Sequence, residues 1–181
     1  MKGIIFTEFL DIVESRFGLD VCQQMLDDAG VDGIYTTVGS YDHRILVKMI
    51  VCLSKITDIS SEALQEVYGE ALFVRLLSTM PMMDNWELPT GTFSFIEQVE
   101  RHIHIEVKKL YPNANPPQFD FISKTSAQMI LDYISARCFS HVCLGLIRGC
   151  VHHFNENMDI EMEPVSQDQS HVRFTLTLNV G

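Results

Sequence analysis

The sequence predicts an α+β fold, with a mostly helical N-terminal lobe and a C-terminal lobe of antiparallel sheet and helices. Up to about residue 110, apolar residues recur at helical spacing; after Pro116 and Pro117 they alternate with polar residues, as in strands. A chain of 181 residues can bury a core or enclose a small ligand in one domain. We therefore expect a single domain over 1–181, with lobes at 1–111 and 112–181.

Apolar stripes at helical spacing follow one another through the N-terminal lobe. In chain order they are Phe9, Ile12 and Val13; Val21, Met25 and Leu26; Ile45, Met49, Ile50 and Leu53; and Leu64, Val67, Tyr68, Ala71 and Val74. The last helix should end near Pro81, because proline has no amide hydrogen to donate. Ser94, with Glu97 three residues later, forms a capping-box pattern that predicts the start of the next helix.

The C-terminal lobe begins after a segment that cannot continue a helix. PNANPPQ, at 112–118, contains adjacent prolines and predicts a hinge. Two β-hairpins and a helix are expected beyond it. The first strand of the first hairpin contains Phe119 and Phe121, and the second strand has Met129, Leu131, Tyr133 and Ser135 on one face. The helix runs from about Phe139 to Asn157. The second hairpin joins MDIEMEPV to HVRFTLTLNV.

Charge and composition exclude several classes of function. The formal net charge of −11 repels phosphate backbones and anionic membranes, so we expect neither nucleic acid nor membrane as a partner. No signal peptide is visible, and five cysteines without a C-x-x-C pair favour reduced thiols, which predicts a cytoplasmic protein. A Gly-rich phosphate loop, a nucleophile elbow and an H-E-x-x-H motif are all missing, and the protein is not expected to be an enzyme.

The stretch RHIHIEVKKLYP, from Arg101, places two histidines on one predicted helix. Residues two apart on an α-helix point about 200° apart. His102 and His104 therefore flank the apolar stripe on opposite sides, and spacing does not choose between them. Either could be an ordinary half-buried histidine at the edge of the core. The stripe itself consists of Ile96, Val99, Ile103, Val107 and Leu110.

Several motifs together are more informative than the spacing. A histidine lies seven residues before Tyr-Pro, a Pro-Pro pair follows, and YISAR comes later in the chain. MKGIIF, VYGE, LYPNANPP and LGLIRG accompany them in order. This combination resembles the haem-nitric oxide/oxygen binding (H-NOX) family, the sensor domain also found in soluble guanylate cyclase. The resemblance covers essentially the whole chain.

The resemblance implies a haem b cofactor, ferrous iron protoporphyrin IX, buried between the two lobes. It assigns the proximal iron ligand to His104, and the residues that bind the haem propionates to Tyr133, Ser135 and Arg137. On a strand these last three would project to one face, where two hydroxyls and a guanidinium can meet two carboxylates. Without the resemblance, Arg137 could pair with a surface acid and Tyr133 could simply pack in the core.

Apolar residues of the pocket are also assigned by the resemblance. Ile5 and Pro117 match residues that pack against the haem and hold it out of plane, and Leu146 is a candidate for the pocket wall. Phe9 and Val142 match the distal pocket, where oxygen-binding members carry a tyrosine. Neither has a hydroxyl to stabilise bound oxygen, which predicts weak oxygen binding and tight nitric oxide binding. Generic core packing would produce the same residue types at these positions.

The implied function is a sensor of nitric oxide, which also binds carbon monoxide and signals through a conformational change. In the family, nitric oxide weakens the iron–histidine bond, and the lobes then rotate about the hinge. No output segment is attached within the 181 residues, so the expected partner is encoded separately, as a sensor histidine kinase or a cyclic-di-GMP synthase or hydrolase. The alternative function is a thiol- or zinc-based redox switch.

A zinc site in the C-terminal lobe, known in some relatives, is not expected here. Cys138 resembles one ligand of that site, but the C-terminal hairpin has no cysteine. About four ligands are needed, and only His152, His153 and His171 remain as candidates.

Overall fold

The computed structural model describes residues 1–79, 88–110, 115–137 and 139–179. The expected α+β fold is observed. Helices come first in the chain, four antiparallel strands follow, and one long helix lies between the second and third strands in sequence. The helices are α1 (Gly3–Phe17), α2 (Leu19–Ala29), α3 (His43–Thr57), α4 (Ser61–Thr79), α5 (Thr92–Gln98), a π-helical turn (Val99–His104), α6 (Ile105–Leu110) and α7 (Ser140–His153). The strands are β1 (Gln118–Lys124), β2 (Gln128–Ile134), β3 (Met158–Pro164) and β4 (His171–Leu178).

Helices α1 to α4 bury most residues of the apolar stripes that the sequence predicts, but not all of them. Phe9, Met25, Met49 and Tyr68 are all in their common core. Val74 was expected on the same face, but 63% of it is exposed. Helix α4 buries Leu72 and Phe73 instead, because α4 packs against α1 and α3 on one side and against α7 on the other. Pro81, the predicted end of α4, lies outside the described residues.

The four strands form one antiparallel sheet in the order β1-β2-β4-β3. Both predicted hairpins are present, β1 with β2 and β3 with β4. One face of the sheet packs against α7 and forms a second core. Its buried side chains include Met129, Leu131 and Tyr133 of β2 and Val172, Phe174 and Leu176 of β4.

Helices α4 and α7 cross with their backbones almost in contact. A Cβ atom at Gly69 would lie 2.2 Å from the Val142 carbonyl oxygen, and one at Gly145 would lie 2.1 Å from that of Glu66. Only glycine allows this approach. The crossing joins the helical core to the sheet core. Helix α7 also ends earlier than the predicted Asn157, since the chain turns at Asn155, whose φ is 53°.

The helix that carries both histidines differs from the continuous α-helix that was expected. It consists of α5, the π-helical turn and α6 in succession. The capping box predicted at Ser94 is wrong, since α5 already begins at Thr92. The Ser94 hydroxyl instead accepts hydrogen bonds from the amides of Thr90 and Gly91, at 3.0 and 3.2 Å. Glu97 pairs with Lys124 across a gap of 2.7 Å rather than capping the helix.

In the described part of the chain, none of the helices combines the length and the apolar character needed to cross a membrane.

Candidate functional site

A cavity of about 610 Å³ lies between the helical core and the sheet core. Its walls come from α1, α4, the helix with the histidines, β2 and α7, and most of its lining is apolar. This volume falls in the range of sites that enclose a small ligand or cofactor. The crossing of α4 and α7 and the end of β2 contribute to this lining.

His104 lines this cavity, whereas His102 does not. The Nδ1 atom of His104 lies 2.6 Å from Oε2 of Glu100. A carboxylate accepts hydrogen bonds, so it places the ring proton on Nδ1 and leaves the lone pair on Nε2. No described residue forms a hydrogen bond with Nε2. The site thus offers one imidazole nitrogen at the cavity wall, and imidazole nitrogens are the commonest metal ligands in proteins.

Tyr133, Ser135 and Arg137 come together at one end of the cavity, although not as the sequence predicted. Strand β2 ends at Ile134, so the three residues do not share one face of a strand. The neighbouring strand, β4, begins at His171, which pairs with Ile134. The next residue along β2, Ser135, donates its amide to the carbonyl of Ser170, outside β4, at 2.8 Å. The Ser135 hydroxyl then accepts from the Arg137 amide at 3.3 Å and closes a turn.

The alternatives left open for Arg137 and Tyr133 have different outcomes. The Arg137 guanidinium donates to the backbone carbonyl of Asn115 rather than to a surface carboxylate. Tyr133 does pack in the sheet core, next to Phe119 and Phe174, but it also lines the cavity. Burial raises the pKa of its phenol, which therefore stays protonated and able to donate. Two hydroxyls and one guanidinium thus lie at this end of the cavity, each already in a hydrogen bond within the protein.

The remaining predicted pocket residues line apolar parts of the cavity, with one exception. Ile5, Pro117, Val142 and Leu146 are all in the lining. Phe9 is not: it lies one layer behind, with its ring edge-on to that of Tyr68 at a centroid distance of 5.3 Å.

Sequence reasoning missed many residues of the wall, and Leu72 and Tyr68 are two examples. The Tyr68 hydroxyl donates to the Ile5 carbonyl at 2.7 Å, and burial raises the pKa of this phenol well above its usual value. Tyr68 belongs to the VYGE motif, which was noted as a landmark without a role. Leu72 follows it by one helical turn, so helical periodicity from Tyr68 could have found it.

Cysteine geometry does not support the thiol-switch alternative. Cys143 and Cys150 lie in the cavity wall, and burial raises the pKa of both thiols, that of Cys150 to about 12. Raised pKa values leave little of the reactive thiolate. Cys138, the suggested zinc ligand, lies outside the described residues. His152 and His171 pair with the carboxylates of Glu70 and Asp132, at 2.9 and 2.8 Å.

The donor set fits a metal porphyrin. A flat, mostly apolar cofactor needs an apolar slot; its metal needs a neutral nitrogen ligand; and its two carboxylates need donors at one edge. The cavity supplies each of these, through its apolar lining, through His104, and through Tyr133, Ser135 and Arg137. Fold and site together define a haem-binding α+β domain in which His104 of the cavity wall is the candidate iron ligand.

Comparisons with known proteins identify the family. A family model described as Haem-NO-binding matches residues 2–162. The H-NOX protein from K. algicida, solved in the unliganded Fe(II) state as the A71G variant, is 34% identical, with a TM-score of 0.90 and coverage of 100% of this chain and 98% of that one. No curated protein matches.

Two further solved structures are similar in fold. The H-NOX from Shewanella woodyi, solved with IWP-051 in the Fe(II)CO state, is 33% identical, with a TM-score of 0.81 over 98% of this chain and 94% of that one. An H-NOX from S. oneidensis in the Fe(II)NO state is 23% identical, with a TM-score of 0.83 over 99% and 100%. The chain belongs to the Haem-NO-binding (H-NOX) family. Members are haem-based gas sensors rather than catalysts on their own, and haem is the cofactor.

Proposed function

We propose that this protein senses nitric oxide at ferrous haem and signals to a separately encoded partner. The observation that carries the proposal is the asymmetry of the cavity: His104, bonded to Glu100 through Nδ1, lies in one wall, while the wall built by α1, α4 and α7 is apolar except for Tyr68. The family description names nitric oxide, and the S. woodyi relative was solved with carbon monoxide on ferrous haem. Both gases are therefore proposed as ligands.

Each predicted site residue has a role in this proposal. His104 is the iron ligand, and Tyr133, Ser135 and Arg137 hold the propionates. Ile5 and Pro117 pack against the porphyrin, and Leu146 completes the wall. When bound, ferrous haem would supply the iron to which a diatomic gas binds.

The apolar wall is proposed to determine whether the site binds oxygen as well as nitric oxide. A bound oxygen molecule draws electron density from iron and gains about 1–3 kcal/mol from a hydrogen-bond donor. Val142 and Leu72 have no donor, and the Tyr68 hydroxyl is already committed to the Ile5 carbonyl. Phe9 supports this wall from behind, through its contact with Tyr68. Nitric oxide needs no such donor, so the site favours it over oxygen.

The signal is proposed to leave through the helix of His104. This helix is the last element of the first proposed lobe, 1–111, and it contacts β1 of the second, 112–181, so a shift in its position would change how the lobes of this one domain meet. Residues 112–114 of the proposed hinge lie outside the described residues. The proposed partner is a sensor histidine kinase or a cyclic-di-GMP synthase or hydrolase, and the proposed location is the cytoplasm, which suits the free buried thiols. Neither nucleic acid nor a membrane is a proposed partner.

An anaerobic titration tests this function. The ferrous, haem-loaded protein is mixed with increasing nitric oxide, and the Soret band and haem content are recorded. The proposal predicts one haem per chain and a Soret shift to shorter wavelength as the His104 bond to iron is lost. A preparation that cannot be loaded with haem, or a Soret band that nitric oxide does not move, contradicts it.

A further inference from the structure

Glu100 joins His104 to the first strand of the sheet. Its Oε2 atom lies 2.6 Å from Nδ1 of His104 and also accepts from the Phe119 amide at 3.2 Å. The side chains of His104 and Glu100 are only 12% and 23% exposed. One carboxylate oxygen therefore bonds to the cavity histidine and to β1 at the same time.

The position of Glu100 distinguishes it from an ordinary ion pair on a helix surface. An exposed pair four residues apart contributes a few tenths of a kcal/mol and points to solvent. Here both residues lie in the π-helical turn, a feature that is rare in helices and often found at functional sites. The Phe119 ring also contacts the His104 ring, with centroids 5.4 Å apart. The imidazole is thus fixed by the carboxylate at Nδ1 and by an aromatic ring beside it.

A carboxylate at Nδ1 affects the opposite nitrogen of the ring. It draws the Nδ1 proton towards itself, which raises the electron density on Nε2 and makes that nitrogen a stronger ligand. It also fixes the direction of the Nε2 lone pair. Both effects follow from the hydrogen bond itself.

We propose that Glu100 is a positioning residue that strengthens the bond between His104 and iron, and couples the position of His104 to strand β1 through the Phe119 amide. This inference rests on the proposed function, in which His104 is the iron ligand. It adds a route by which the state of His104 reaches the sheet. When His104 moves, the carboxylate that holds Phe119 must move with it or give up one of its two hydrogen bonds.

Resonance Raman spectroscopy of the ferrous, haem-loaded protein tests the first part. Glu100→Gln keeps a hydrogen-bond acceptor but removes the charge, and Glu100→Ala removes both. Glu106→Gln is the matched control, because Glu106 lies on the same helix but pairs with Lys109 at 2.6 Å on the exposed side. The iron–histidine stretching frequency should fall from wild type to Gln to Ala, and stay unchanged in the control. Equal frequencies in wild type and both Glu100 variants overturn the inference.

Amide hydrogen exchange tests the second part. In the carbon monoxide-saturated, haem-loaded protein, the Phe119 amide should exchange several-fold faster in Glu100→Ala than in wild type or Glu106→Gln. Unchanged exchange at Phe119 overturns the coupling to β1. An iron–histidine band that is present in wild type and keeps its frequency in the Glu100 variants refutes only this inference. A wild-type protein without such a band refutes the proposed function, and this inference with it.

Discussion

The two walls of the cavity are built in opposite ways. The wall around His104, called the polar wall below, holds one imidazole among apolar side chains, and Glu100 fixes that imidazole by bonding to His104 and to the Phe119 amide. The wall opposite consists of apolar side chains such as Val142 and Leu146, held by a close crossing of glycine-containing helices. We propose that the two walls have different roles: one holds the iron, and the other leaves a gas ligand without a hydrogen-bond donor.

Removing the iron ligand should break the polar wall completely. His104→Gly should lose haem at least about 10- to 100-fold faster, since even the loss of a residue that only supports a metal ligand costs that much in affinity. Added imidazole should slow the loss by replacing the side chain. Haem transfer to apomyoglobin measures the rate. His102→Ala is the control, and a faster loss from that variant than from His104→Gly would reverse the assignment of the ligand.

Overpacking the helix crossing should disrupt the apolar wall. In Gly145→Ala the new methyl group would meet the Glu66 backbone at 2.1 Å, and backbone cannot move aside as a side chain can. The free energy of unfolding should fall by about 3 kcal/mol, the upper end for overpacking. Urea unfolding of the haem-loaded protein measures it.

Gly91→Ala is the matched control for the crossing. There the added methyl group would meet only the flexible carboxylate of Glu156, so the loss should stay below about 1 kcal/mol. Similar losses in both variants would show that the helix crossing is not the tight contact described above.

Placing a hydroxyl on the apolar wall should reduce its discrimination between gases. Val142→Tyr adds a donor worth about 1–3 kcal/mol to bound oxygen, which corresponds to roughly 5- to 150-fold slower oxygen release. Val142→Phe adds a similar bulk without the hydroxyl and should leave oxygen release fast. Stopped-flow measurement of oxygen dissociation compares them. If the Phe variant holds oxygen as well as the Tyr variant, pocket volume and not hydrogen bonding controls oxygen binding.

The smallest effect is expected at the end of the cavity that contains Tyr133, Ser135 and Arg137, because Arg137 is only half-buried. Arg137→Gln should speed haem transfer to apomyoglobin by about 10-fold, because a charged hydrogen bond contributes about 1.5–3 kcal/mol and exposure lowers that contribution. Arg148→Gln, on a residue that pairs with Glu66 outside the cavity lining, is the control. Equal rates in wild type and Arg137→Gln would mean that the propionates are held by the hydroxyls alone.

The sequence predicted the periodic parts of the molecule well. Stripes such as Phe9, Ile12 and Val13 are buried as expected, and both hairpins are present, because periodicity reports directly which face of an element is buried. The motif resemblance identified the family, and most of the residues it assigned to the site line the cavity, although Phe9 does not.

Non-local contacts account for the errors. The end of β2 at Ile134 depends on where β4 begins, at His171, and no local pattern near Ser135 reports that. Val74 is exposed because α7 covers a different face of α4. The π-helical turn and the Glu100 contact with Phe119 depend on packing against β1, 19 residues away in the chain.

Exposing one ferrous sample to two gases tests the central claim most directly. The haem-loaded protein is divided under anaerobic conditions; one half receives nitric oxide, the other air-saturated buffer, and absorption spectra follow both. A polar wall that holds iron opposite a wall without donors predicts a nitric oxide complex in the first half and no stable oxygen complex in the second. A stable oxygen complex in air would contradict the account, because a donor would then have to reach the gas from the wall of Val142.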